Sequence, residues 1–222
     1  LLDTKLYGMP ILEHSSIIFK ETRIDSLVAI KEILDRYQDY VLNVRIGATD
    51  FSSLFGLRRS PSVTIYDLTV IRDCISDIVN MFNRKDHGYV ISGPVWEYFN
   101  SSSSWKSRTN QLTRATHEEG LVREILFDKE NGLIGKTIIH PSQIRPVQSL
   151  YVVSHEEYTD ACSIIAKNDG EIGVVNSQYG NKMNEIKPHQ NWAEKILLRA
   201  KIYGVYHEQN NFTNLLFEKA HV

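Results

Sequence analysis

The stretch YVLNVRIGATDF, Tyr40 to Phe51, decides the fold. It is a β-branched run that closes on Gly47 and Asp50. A polar loop, LRRSPSV, separates it from a segment carrying Ile65, Leu68, Ile71, Ile75, Ile78 and Phe82 at helical spacing. Strand, carboxylate, loop and amphipathic helix make one βα unit. The same unit precedes it: YGMPILE, Tyr7 to Glu13, is short and apolar and ends on a carboxylate, and Leu27, Ile30, Leu34 and Tyr37 then recur at helical spacing. Downstream, GYVISGPVWEYF (Gly88 to Phe99) predicts a third strand, followed by a Ser-rich loop, Ser101 to Ser104, and a helix around Glu118 to Phe127. GKTIIHPSQI (Gly135 to Ile144) predicts a fourth strand.

Strands that alternate with single helices pair in parallel, which leaves an open doubly wound sheet or a barrel. No GxGxxG or GxxxxGK[ST] follows any strand, so a nucleotide-binding open sheet loses its best support. Carboxylates at two strand ends favour the barrel, whose active site lies on the rim at those ends. From Leu150 the character changes. SHEEYTDACSIIAKN opens on Ser154 with Glu157 three residues on, the spacing of a capping box. The Gly- and Asn-rich NDGEIGVVNSQYGNKMNEIKP reads as a loop, and a last helix carries Trp192, Ile196, Leu197 and Ala200 on one side.

A formal net charge of −2, with Lys and Arg spread along the chain, gives no footprint for nucleic acid or an acidic membrane surface. Small anionic ligands remain open. Cys74 and Cys162 lie in helical stretches without metal-ligand spacing, which argues against a disulfide framework or a zinc site. No apolar run reaches the roughly 20 residues of a membrane span, and no signal peptide is seen, so a cytoplasmic setting is expected. The chain opens on Leu1 and runs almost at once into an apolar strand, which reads as a start in mid-domain.

Glu13 and Asp50 occupy equivalent places at the ends of two βα strands, so a parallel barrel would turn both into one mouth. Two hard oxygen ligands suit Mg²⁺, which takes the rest of its shell from water and substrate. The alternative is that each caps the helix that follows. Strand alternation sets Leu42, Val44 and Ile46 on one face and Asn43 and Arg45 on the other. An inward Arg45 would bind an anion or pair with a buried acid. Arg58 and Arg59, in the loop after Asp50, would contact a phosphate or carboxylate or stand in solvent. His140 would donate to a substrate oxygen or pin the Pro141 turn. Trp96 reads as core or pocket rim, and Trp105 as rim.

GLIGKTIIHPSQIRPVQ strongly resembles the last barrel strand, GxxGKxxIHPxQ, of the citrate lyase β-subunit and HpcH/HpaI aldolase superfamily. Three further stretches resemble it in order. MPILE is similar to the strand ending in the family's metal-binding glutamate, matched by Glu13. IGATDFSSLFGLRRS is similar to GAEDLAADLGxxRT, whose aspartate is the second metal ligand, matched by Asp50. NKMNEIKPHQNWAEKIL is similar to the family tail GKMxDxPxxxxAxxIL. The wording of RIGATDFSSLFGLRRS and ISGPVWEYF looks like the TIM-barrel C–C bond lyase branch associated with bacterial tellurite-resistance and stress gene clusters.

The resemblance implies an α/β fold, a (β/α)₈ TIM barrel. Residues 1–149 would be its later half, about strands five to eight, and 150–222 a helical extension that crosses between subunits of a trimer or hexamer. The family's early strands, with the arginine that grips the substrate carboxylate, have no counterpart here. The implied activity is a Mg²⁺-dependent carbon–carbon lyase or aldolase, with Mn²⁺ as substitute. It would act through a metal-stabilised enolate on an oxo- or hydroxy-acid or its CoA thioester. Glu13 and Asp50 would hold the metal, Arg45 or Arg59 would orient a carboxylate, and His140 would assist. A tail acid would act as acid/base, its place falling on Asn184 or Glu185, with Glu185 the better chemical match. Two other readings stand beside it. One is a catalytically weak barrel serving as subunit or binding module of a stress-response biosynthetic complex. The other is a phosphate-ligand enzyme using Arg58 and Arg59.

Overall fold

The computed structural model describes residues 5–85, 88–99, 108–167 and 173–217. Trp105 and Ser101–Ser104 lie outside them. The chain forms two compact units, Leu1–Val147 and Gln148–Val222.

In the first unit, β1 (Ile11–Leu12), β2 (Val44–Ile46) and β3 (Ile91–Ser92) pair in parallel in chain order. Leu12 lies opposite Ile46, and Arg45 opposite Ser92. A parallel bridge from Gly93 to Lys136 adds a fourth position at the far edge of β3. An open doubly wound sheet reverses its strand order at a switch point, whereas each strand here is bonded to the next in sequence, as a barrel wall requires. The connections carry α1 (Ser15–Ile18), α2 (Lys20–Arg36), α3 (Ala48–Ser53), α4 (Thr69–Phe82) and α5 (Arg108–Glu130).

The core lies between sheet and helices. Leu12, Val44, Ile46 and Ile91 turn one face toward Leu27 of α2 and Ile71, Ile75 and Ile78 of α4, all buried in one cluster. Alternation therefore sends Arg45 to the opposite face, where its Nε donates to Thr137 Oγ1 at 3.2 Å and Asn43 Nδ2 donates to Ser92 Oγ at 3.0 Å. Leu42, expected to join the apolar face, is exposed, because β2 begins only at Val44.

Two strand expectations contract. The third, read over Gly88–Phe99, is hydrogen-bonded as strand only at Ile91–Ser92, with Pro94, which lacks an N–H, just beyond. The fourth, read over Gly135–Ile144, is reduced to its bridge at Lys136, and Pro141 opens a 3₁₀ turn to Gln143.

The second unit takes up the later half of α6 (Ile144–Tyr151), then α7 (His155–Ala166), α8 (Ile186–Tyr203) and α9 (Phe212–Phe217). Ser154 and Glu157 form the expected capping box on α7. The extension is not wholly helical. β4 (Val174–Asn176) and β5 (Met183–Glu185) form an antiparallel hairpin inside the stretch read as loop, with Gly180 in its turn at φ 66°. Strands of three residues are too short to show alternation. Val175 is the residue of β4 that enters this unit's core, with Val153, Ala161, Ile164, Ala193 and Ile196. Among the described residues no helix is long and apolar enough to cross a membrane.

Candidate active site

The C-terminal ends of β1 and β2 meet at Gly47. Its N–H donates to Leu12 O at 2.9 Å, which sets Gly47 beside Glu13. A Cβ placed on Gly47 would overlap the Cβ of Glu13, and would lie 3.2 Å from Glu13 Cα and 3.1 Å from Asp50 Oδ2. Only a residue without a side chain lets these two carboxylates flank one point. Asp50 is in the first turn of α3, and both side chains are exposed at the strand ends. Among the described residues no three His, Cys, Asp or Glu side chains converge as a metal cage. Two hard carboxylates with open space suit an ion that keeps several of its waters, so the donor set fits Mg²⁺.

Arg45 sits on the sheet face below this pair, its Nε tied to Thr137. Adjacent layers of one strand face are about 6.6 Å apart, two residues at about 3.3 Å each. Arg45 is therefore placed one layer beneath Gly47.

Arg59 takes a different course. Buried, it donates from Nε to Glu97 Oε2 at 2.7 Å, from NH1 to Glu124, and from NH2 to Val95 O at 2.5 Å, with its guanidinium over the Trp96 ring. Its fork is committed to internal acceptors. Glu124 and Asp128 stand four residues apart on the buried face of α5, and Lys136 Nζ bridges them at 2.8 Å each. Tyr66 Oη donates to Asp128 at 2.6 Å, and the Ile65 N–H to Glu124 at 2.8 Å. A Cβ on Gly93 would collide with the Asp128 carboxylate, so this glycine admits the acid. Burial pulls the Lys136 ammonium down, but the flanking Asp128 and Glu124 charges outweigh it and hold it above its ordinary value. Burial pushes the Asp128 carboxyl up.

His140 caps the Pro141–Gln143 turn. Its Nδ1 accepts from the Ser142 N–H at 3.2 Å, and its ring stacks on Phe99 at 4.6 Å. His14, next to Glu13, caps α1 the same way, accepting from the Ser16 N–H at 3.2 Å. An Nδ1 that accepts places the proton on Nε2, so in the neutral ring that nitrogen is the donor. Arg58 is exposed. Trp96 is buried beneath α5, where Gly120 leaves room for its ring.

In the second unit Asn184 is buried and donates to Asp160 Oδ1 at 2.9 Å, while Glu185 is exposed at the N-cap of α8. Of the two tail positions, Glu185 is the one with an acid open to solvent.

Sequence reasoning missed Glu97, Lys136, Glu124 and Asp128. Glu97 carried a weaker form of the signal of Glu13 and Asp50, a carboxylate near the end of a run read as a strand. The acids of α5 carried none, because charges at helical spacing normally mark a solvated face. A cavity of about 840 Å³ between α2 and α4, lined by Phe19, Phe55, Asp73 and Val79, lies apart from the strand ends. Arg23 in its wall is engaged by Asp73, Asp77 and two carbonyls.

A family model described as C–C bond lyase of the TIM-barrel fold matches residues 1–205. The fold is similar to that of a citrate lyase from Burkholderia xenovorans LB400, with 17% identity, TM-score 0.58, and 98% of this chain and 59% of that chain covered. It is also similar to CitE from Mycobacterium tuberculosis, solved with magnesium, acetoacetate and coenzyme A. There the identity is 23% and the TM-score 0.54, with 88% of this chain and 61% of that one covered. The chain thus spans about three fifths of the length of these neighbours. No curated relative matches it.

Proposed function

The chain belongs to the C–C bond lyase family of the TIM-barrel fold, and on that premise we propose that it is a Mg²⁺-dependent carbon–carbon lyase acting on an oxo- or hydroxy-acid or its CoA thioester. The observation that supports this best is the convergence of Glu13 and Asp50 on Gly47 at adjoining strand ends. Bound there, Mg²⁺ would supply Lewis-acid polarisation of a substrate oxygen at the bond that breaks.

The chain's own side chains supply the rest. Arg45, one layer below, receives a substrate carboxylate on its fork, the bidentate geometry for which a guanidinium is suited. Its Nε contact with Thr137 holds that fork in one orientation. Arg59 serves by anchoring Glu97 near the site, since its own nitrogens are engaged. His140 offers its Nε2 proton to a substrate oxygen. Glu185, exposed on the second unit, is the acid/base candidate.

The test is a calorimetric titration of the full chain with Mg²⁺ or Mn²⁺ beside Glu13→Gln and Asp50→Asn. Loss of binding in both variants is expected. Binding unchanged in both overturns the assignment.

A further inference from the structure

Four charged residues form a continuous chain from the interior to the loop after β3. Lys136 holds Glu124, Glu124 holds Arg59, and Arg59 holds Glu97. The side chains of Lys136 and Glu124 are 0% exposed and that of Arg59 2%, whereas that of Glu97 is 28% exposed. The chain surfaces at one carboxylate only. Its Oε2 is fixed by Arg59, at 2.7 Å from Nε and 2.6 Å from NH2, and its Oε1 accepts from Thr49 Oγ1 at 3.3 Å. Thr49 immediately precedes Asp50 in α3. The loop after β3 thus presents a rigidly held acceptor to the turn that carries Asp50.

An ion held by two carboxylates keeps several waters, and those waters need acceptors. Outer-shell acceptors orient inner-shell ligands and govern affinity. We infer that Glu97 is a positioning residue for the Glu13–Asp50 site, accepting hydrogen bonds from the waters of a bound divalent cation without coordinating it. This rests on the metal reading above and goes beyond it. It assigns the loop after β3 to the site, and it makes Arg59, Glu124 and Lys136 the scaffold that aims it. Arg59 is the hinge of that scaffold: Glu124 and Val95 O fix it from within, and the Trp96 ring covers its plane.

The experiment is a Mn²⁺ titration of the full chain by calorimetry, with the inner-sphere waters of bound Mn²⁺ counted by water-proton relaxation. It compares wild type, Glu97→Gln, Glu97→Asp and Glu13→Gln. Glu97→Asp keeps a negative charge beside Arg59, and thermal unfolding checks that the fold is retained. It keeps that charge while shortening the reach, which separates a placed hydrogen bond from a general field. Expected is a weakening of about 10–100-fold in both Glu97 variants with an unchanged water count. Wild-type affinity in either Glu97 variant, beside a Glu13→Gln that no longer binds, overturns this inference alone. So does one additional inner-sphere water in Glu97→Gln, which would make Glu97 a direct ligand. Undiminished binding in Glu13→Gln overturns the metal reading, and this inference with it.

Discussion

Gly47 and Glu13 lie so close across the β1–β2 ladder that a Cβ on the glycine would overlap that of the glutamate. The close approach brings an acid from one strand end beside an acid from the turn after the next, and it places the demand on one residue.

Gly47→Ala is therefore expected to separate Glu13 from Asp50. Gly47 has φ −85°, a conformation that any residue adopts, so the penalty is steric and not torsional. Both the Glu13 backbone and its Cβ are in the way, and strand pairing prevents either from yielding freely. Overpacking of this kind costs about 1–3 kcal/mol. Urea unfolding should show that loss, and divalent-cation titration a weakened site. A variant with wild-type stability and affinity would show that the strand ends are not held together as described.

Lys136 sits between Glu124 and Asp128 with no solvent access. Lys136→Met keeps the bulk and removes the charge, leaving Asp128 buried without a cation and Glu124 with Arg59 alone. Breaking a buried ion pair from one side costs about 3–5 kcal/mol. A loss of that size in the denaturant midpoint is expected. The triple variant Lys136→Met, Glu124→Gln, Asp128→Asn should recover part of it, because no uncompensated charge then stays buried. Failure of the triple variant to recover would mean that packing, not charge, sets the value of Lys136.

The two carboxylates proposed as metal ligands were legible as a pair because each closes a β-branched or apolar run and precedes a helical period, a local pattern. Arg45 was legible by alternation, since Val44 and Ile46 both enter the core. What escaped was long-range. Arg59 reads as a loop arginine that meets a ligand phosphate or carboxylate or stands in solvent, yet the fold carries it beneath α5 to Glu124, 65 residues on. Nothing local to either residue announces the other. The hairpin of the second unit escaped because its Gly and Asn residues mark turns whether or not short strands lie between them. His140 was read as donor or pin, and its Nδ1 contact with Ser142 N–H gives the second role a geometry while leaving Nε2 for the first.

Acid should weaken the first unit through Asp73. Its hydrogen bond to Arg23 holds this carboxyl below the ordinary aspartate value of 3.8. A depressed acid contributes stability that is fully present above 3.8 and is lost as pH falls through its folded value. Asp73 is nearly half exposed, so the contribution is about 1 kcal/mol or less. In Asp73→Asn the urea midpoint should lie below wild type at pH 6, and the two curves should converge below pH 3.8. Curves that stay parallel throughout would remove Asp73 from the acid response.

Alkali should act through Cys74. This thiol is fully buried in the core beside Ile71, Ile75 and Ile78, and its Sγ–H donates to Ile17 O at 3.4 Å. Burial pushes its pKa from 9.0 up to about 12. A raised acid favours its neutral form in the folded state, so its contribution is fully present below pH 9 and is lost as pH rises from 9 toward 12. Two consequences are measurable on the same sample. A thiol reagent at pH 8 should modify Cys162, which is partly exposed, and leave Cys74 untouched until the chain unfolds. Cys74→Ala should lower stability at pH 7 by leaving a small void, yet flatten the decline of stability above pH 9 relative to wild type. Rapid labelling of both thiols in the folded protein would show that the sheet-to-helix core around α4 opens on the timescale of the reagent. The barrel wall that positions Glu13 and Asp50 would then be far less fixed than its packing implies.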